Sequence, residues 1–143
     1  MILGNFNYQP VLSIGNSIIE IESFLEILGV HIDNKLSFKA YVSVILRKVY
    51  AKIGALRRLK RLVPPDVALI LYKSYILPHL EYCSPLLLGT NKALVNKLEA
   101  IYYYALKVLL NVGKDVDYSS ILSIGGMNSL QFRRYEQSLL LLY

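Results

Sequence analysis

Two hydrophobic periods succeed one another along the chain, and the change falls at Asp33-Asn34. Before it, short β-branched apolar residues dominate. Val11-Leu12-Ser13-Ile14 and residues 17–22 flank Gly15-Asn16, a pair that fits a type II′ turn with glycine supplying the positive φ. Ile18, Glu20 and Glu22 alternate with Ile19 and Ile21, the period of a half-exposed strand. A third strand is predicted over roughly 25–32, buried or half-buried and ending at Asp33-Asn34.

Beyond that point the period is helical. Val42, Ile45, Leu46, Val49, Ile53 and Leu56 recur at steps of three and four and predict an amphipathic helix over about 38–62. Arg47, Lys48, Arg58 and Arg61 project from the rest of its circumference, whereas Lys60 falls back onto the apolar stripe. The helix is therefore expected to end or bend near 58–62, just ahead of Pro64-Pro65. Pro65 suits the first turn of a second helix running to about Leu77, which Pro78 then kinks or interrupts. A third helix takes Thr90 or Asn91 as its cap and buries Leu94, Leu98, Ile101, Ala105 and Val108. Gly113 is its expected left-handed terminus. A loop over 114–117, a helical turn around 119–123 and a break at Gly125-Gly126 precede a last helix opening at Asn128 or Ser129. The fold class read from this pattern is α+β, mainly α: a short N-terminal β-meander followed by about four or five helices. The apolar helical run at 139–142 is an odd end for a complete domain and reads as a truncation.

Composition narrows the picture. A chain of 143 residues suffices for one domain, and 55% hydrophobic residues with a mean hydropathy of +0.41 is high for a free-standing one. It fits a well-filled helical core or a piece whose faces meet a neighbour. A membrane span needs about 20 apolar residues, and every stretch here is broken sooner. The opening residues resemble neither a signal peptide nor a transit peptide, and a single cysteine, Cys83, rules out an intrachain disulfide. An intracellular location is expected.

Charge location says more than the net +6. Residues 35–78 hold ten of the sixteen bases and one acid, Asp66, a balance of +9, while the first 34 residues hold four acids and no base. A solvated helix face normally mixes both signs, so segregation this sharp points to an anionic partner.

Catalytic candidates fare poorly. Asp115 and Asp117 sit in a loop with no strand to aim them at a metal pair. His79 and Cys83 lie four apart, on one face of a helix, but zinc needs two further ligands and only the distant His31 remains. A packed histidine and a small buried cysteine are the default. No glycine-framed serine and no phosphate-cradling glycine loop are present. Tyr102-Tyr103-Tyr104 covers almost all faces of its helix; such tyrosines either stack on bases or, more commonly, pack with a wet hydroxyl.

Several ordered segments carry a resemblance. LGVHIDNKLSF at 28–38, GALRRLKRLVPP at 54–65, LYKSYILPHLEYCSP at 71–85, LVNKLEAIYYYALKVLL at 94–110 and the closing SILSIGGMNSLQFRRYEQSLLLLY, with its paired Arg133-Arg134, resemble the region after the palm in reverse transcriptases of LINE-like (jockey-type) non-LTR retrotransposons. The likeness spans nearly the whole chain. It implies that residues 1–34 correspond to the end of the palm, 35–113 to a thumb-like helical region and 114–143 to a truncated helical tail. It implies that the palm bearing the catalytic aspartates and their Mg2+ lies upstream, so that this chain alone has no catalytic residue and no cofactor. Met1 then corresponds to an internal methionine. Departures are Glu26-Ile27 where the family has a lysine, Leu86-Leu87-Leu88 where a tryptophan is common, and Tyr102 and Tyr104 where glutamine and arginine stand. They fit an old copy of such an element.

The expected activity is sequence-independent binding of an RNA or DNA duplex or hybrid by phosphate neutralisation, with the missing palm as a second partner. The expected contacts are Lys39, Arg47, Lys48, Lys52, Arg57, Arg58 and Arg61, flanked by Lys35 and Lys73. The alternatives are a basic amphipathic helix lying on an anionic membrane and a retroelement remnant without function.

Overall fold

Four short strands precede six α-helices in the computed structural model, which describes residues 1, 3, 11–113 and 115–141. The molecule is α+β and mainly α. The chain divides into two units, Met1–Tyr41 and Val42–Tyr143.

The first unit is built from two hairpins. Strands β1 (Leu12–Ile14) and β2 (Ser17–Ile19) pair antiparallel with Ile14 opposite Ser17, and Gly15 turns the chain at φ +59°. Strands β3 (Phe24–Ile27) and β4 (Val30–Asp33) pair with Ile27 opposite Val30. The single strand expected over 25–32 is thus a hairpin, reversed at Leu28 (φ +50°) and Gly29 (φ +80°). Two successive positive φ angles are the geometry of a type I′ turn, and leucine is a residue that seldom adopts the first of them. The four strands form two separate two-stranded sheets instead of one meander. Every residue of β1, β2 and β3 is exposed, and Val30 is the one buried strand residue among those described.

Asp33 closes the second hairpin. Its carboxylate accepts the backbone N–H groups of Lys35 (3.0 Å), Ser37 (3.1 Å) and Phe38 (3.2 Å) and the Ser37 hydroxyl (2.8 Å). Burial pushes this carboxyl up, but the four hydrogen bonds, led by the Ser37 hydroxyl, outweigh it and hold the group below its ordinary value. A depressed folded pKa contributes stability that is present above the unfolded value and lost as pH falls through the folded one. Asp33→Ala should therefore cost about 1–2 kcal/mol at neutral pH, as other capping losses do. Urea melts should show the deficit at pH 7 and its disappearance in acid.

The second unit is helical. Helix α1 (Lys39–Leu59) begins in the first unit, and its stripe of Val42, Ile45, Val49, Ile53 and Leu56 is 0–5% exposed. Helix α2 (Pro65–Leu71) opens on Pro65 and runs without a break through a π turn (Tyr72–Ile76) into α3 (Leu77–Glu81). The helical run passes through Pro78, and the kink or interruption expected there takes the form of the π turn just ahead of it. Proline lacks the N–H that would bond the carbonyl four residues back, here Ser74, and its ring collides with that carbonyl in a regular helix. The π turn widens the coil just ahead of it, with the Leu77 N–H reaching the Tyr72 carbonyl five residues back.

A 3-10 turn (Ser84–Leu87), entered through left-handed Cys83, leads to α4 (Lys92–Leu110). Asn91 caps α4 through its side-chain oxygen, which accepts the Ala93 N–H at 2.8 Å. The left-handed residue at its other end is Asn111 (φ +57°), not Gly113. Asparagine tolerates that region, and the helix stops two residues before the glycine. Helices α5 (Tyr118–Gly125) and α6 (Leu130–Leu140) are capped by Asp117 and Ser129. Both pack on α4, and α6 also meets α3 and the 3-10 turn. Glu81 pairs with Arg133, the Ser84 hydroxyl bonds Gln137, and the buried Tyr102 hydroxyl donates to the Asn128 carbonyl at 2.8 Å. Leu94, Leu98, Ile101, Ala105 and Val108 are buried, as their spacing predicts, together with Tyr102 and Leu106. Among the described residues no helix is long and apolar enough to cross a membrane.

Candidate nucleic-acid interface

Because α1 turns about 100° per residue, burying the stripe from Val42 to Leu56 fixes where its cations point. Arg47 and Arg58 fall on the crest opposite the core, eleven residues or about 16 Å apart along the axis. Between them the crest carries only Ala51, Gly54 and Ala55, so no bulky side chain stands between the two guanidinium groups. Lys48 and Lys52 lie on one flank; Lys39 and Arg57 lie on the other, joined by Arg61 just past the helix end.

Each flank meets a tyrosine. On the first, the Lys52 ammonium sits 3.2 Å from the centroid of the Tyr75 ring, on the π turn. His79 lies close enough that burial first, then Lys52 and Lys48, hold its pKa below the ordinary histidine value. On the second, Arg57 bonds the Tyr104 hydroxyl and stands 5.6 Å over its ring, while Tyr50 lies 6.2 Å from the same ring. The ion pairs His31–Glu26 and Arg133–Glu81 do not involve Arg47, Lys48, Lys52, Arg57 or Arg58.

The nine expected contacts are thus not one cluster. Arg47, Lys48, Lys52, Arg57 and Arg58 share α1 within the helical unit, with Arg61 beyond its end. Lys39 opens the helix, Lys73 is exposed on the π turn, and Lys35 belongs to the loop that Asp33 organises in the first unit. Lys60, the basic residue that fell on the apolar stripe, turns inward. Its ammonium bonds the Val108 carbonyl and the Asn111 side-chain oxygen (3.1 Å), capping α4. A cation at a helix C-terminus meets the negative end of the helix dipole.

Sequence reasoning missed a groove. Arg57, Lys60, Arg61, Asp66, Tyr104 and Lys107 rim an open depression of about 1130 Å3 floored by apolar side chains of α2, α4 and α5. Its walls lie some 50 residues apart in sequence, and no local spacing signals their meeting.

No protein family, curated protein or solved structure matches the chain. What the arrangement does must be read from its chemistry. Asp117, considered above as a metal carboxylate, accepts the Ser119 hydroxyl and the Ser119 N–H (3.1 Å), bonds that lower its pKa and tie it to the start of α5. His79 and Cys83 do not share a helical face, because α3 ends at Glu81 and Cys83 is left-handed. Among the described residues no three His, Cys, Asp or Glu side chains converge on a metal-sized point. Of the tyrosine triplet, Tyr102 is buried and Tyr103 spends its hydroxyl on the Val116 carbonyl. Tyr104 alone is exposed.

Proposed function

We propose that this chain is a thumb-like fragment of a retrotransposon RNA-directed DNA polymerase that binds a nucleic-acid duplex or hybrid without reading its sequence, and that does not catalyse polymerisation alone. The observation that carries this reading is the outer face of α1: Arg47, Lys48 and Arg58 are exposed, lack a carboxylate partner among the described residues, and flank a crest of small residues. Such a face suits phosphates, which need charge and close approach but no base-edge donors. The ordered resemblance of five segments supports the assignment to a polymerase thumb. The membrane reading is weaker because the apolar stripe that would enter the headgroups is buried.

The test is a salt titration of binding to a blunt RNA–DNA hybrid. Each phosphate contact removed lowers the slope of log affinity against log salt by about 0.9. The triple variant Arg47→Gln, Lys48→Gln, Arg58→Gln should flatten that slope by roughly 2–3. A slope equal to that of the unaltered chain would sink the reading. A phosphate brought against Lys48 and Lys52 should also offset their charges and raise the His79 pKa toward its ordinary value. Histidine ring NMR shifts with and without the hybrid would report it; an unmoved titration would place the duplex elsewhere.

A further inference from the structure

We infer that the groove beside Tyr104 holds a short single-stranded nucleic-acid segment, with phosphates on its cationic rim and a base against the Tyr104 ring; this rests on the reading of α1 as a duplex-binding face. Four cations and one acid surround the depression: Arg57, Lys60, Arg61 and Lys107 against Asp66. Helix capping accounts for Lys60, whose ammonium is spent on Val108 and Asn111, and Lys107 lies in the last turn of α4 with its ammonium 4.2 Å from the centroid of the Tyr103 ring. Arg57 turns to a tyrosine hydroxyl and not to a carbonyl, and Arg61 stands beyond the end of α1. Burial first, then Arg61 and Arg57, lower the Lys60 pKa, so a bound anion relieves repulsion already present.

Charge complementarity selects an anion, and the remaining features select which one. The floor is apolar and one wall offers the single exposed ring of the tyrosine triplet. Single strands are held by this pairing of a cationic track with an aromatic platform, because every base has a π face. Asp66 supplies a carboxylate acceptor on the rim for a sugar hydroxyl or a base amino group. At about 1130 Å3 the open groove has room for a short segment. Arg57 and Arg58 are adjacent residues, one facing the groove and one on the crest, so the two sites adjoin. A duplex on the crest would thus deliver an unpaired end into the groove.

The experiment compares two probes on the full chain: a blunt RNA–DNA hybrid and the same hybrid with an eight-nucleotide single-stranded extension. The extension should tighten binding, and Tyr104→Leu and Lys107→Gln should each remove about 5–50-fold of that gain, measured against each variant's own blunt-hybrid affinity. Tyr104→Phe keeps the ring and should retain the gain, which separates stacking from the Arg57–hydroxyl bond. Inorganic polyphosphate, which has charge but no bases, should bind with no sensitivity to Tyr104→Leu. An extension that adds nothing, or a gain untouched by both groove variants, overturns the inference while leaving the salt slope of the α1 face as a separate result. Anionic vesicles that bind through Tyr104 and Lys107 in place of the extension would overturn it as well.

Discussion

Amide protons of β1 and β2 should exchange about a thousandfold or more faster than those in the middle of α4. The hydrogen bonds of Leu12–Ile14 and Ser17–Ile19 belong to a two-stranded ribbon whose side chains are all exposed, including Ile14 and Ile18 at 74% and 73%. A hairpin of that kind is marginal in water, because the ladder alone does not offset the entropy of ordering it. Opening it should require almost no free energy. Helix α4 is the opposite case: Leu98, Ile101, Tyr102, Ala105 and Leu106 are 0–1% exposed, and α5 and α6 pack on it. Its central amides should be released only on global unfolding, at about 5 kcal/mol or more for an ordinary domain. Native-state hydrogen exchange read by NMR would decide the matter. Equal protection in the hairpins and α4 would mean that strands with no buried face are nonetheless held, and the account of the first unit would fail.

The hairpins also show where sequence patterning is silent. Alternation predicted strands, and Gly15-Asn16 announced a turn because glycine at the first turn position is a chemical signal. The second reversal places leucine in that position, so residues 25–32 read as one extended segment. Burial could not correct the error, since the strand faces meet no core that would have imposed a period.

The helical unit was far more legible because its core demands periodicity. The α1 stripe and the α4 face were readable, and the caps of α4 and α6 were readable to within one residue, as Thr90 or Asn91 and Asn128 or Ser129, because short polar side chains satisfy backbone N–H groups from known positions. At Pro78 the expected kink or interruption is the π turn just ahead of it, which widens the coil where the ring would collide with a regular helix. Lys60 is the most instructive residue. Its misfit with the stripe was visible, but its purpose required knowing that α4 ends beside it. The groove was illegible for the same reason, since Arg57 and Tyr104 meet across 47 residues.

The largest single-residue loss expected is that of Glu99→Ala, which should cost about 3–5 kcal/mol. One oxygen of Glu99 accepts the Leu130 N–H at 3.1 Å and the Tyr118 hydroxyl, tying α4 to the starts of α6 and α5. Its other oxygen is buried without a hydrogen-bond partner. Nearby, Arg134 is 2% exposed, and none of its three side-chain nitrogens makes a hydrogen bond. Burial lowers the Arg134 pKa, and the charge of Glu99 is the main influence opposing that shift. Glu99 is therefore the counter-charge that makes a buried guanidinium tolerable, and removing it strands the cation. Arg134→Met should itself destabilise, because it removes the buried cation but leaves the partnerless Glu99 oxygen without a counter-charge. In the Arg134→Met background, Glu99→Ala should lose only what the Leu130 and Tyr118 bonds supply, about 1–2 kcal/mol. The prediction is thus one of coupling: a double-mutant cycle in urea should return roughly 1–3 kcal/mol of interaction between the two positions. Strict additivity would show that Arg134 draws its stability from elsewhere and that Glu99 acts only as a clasp on α5 and α6.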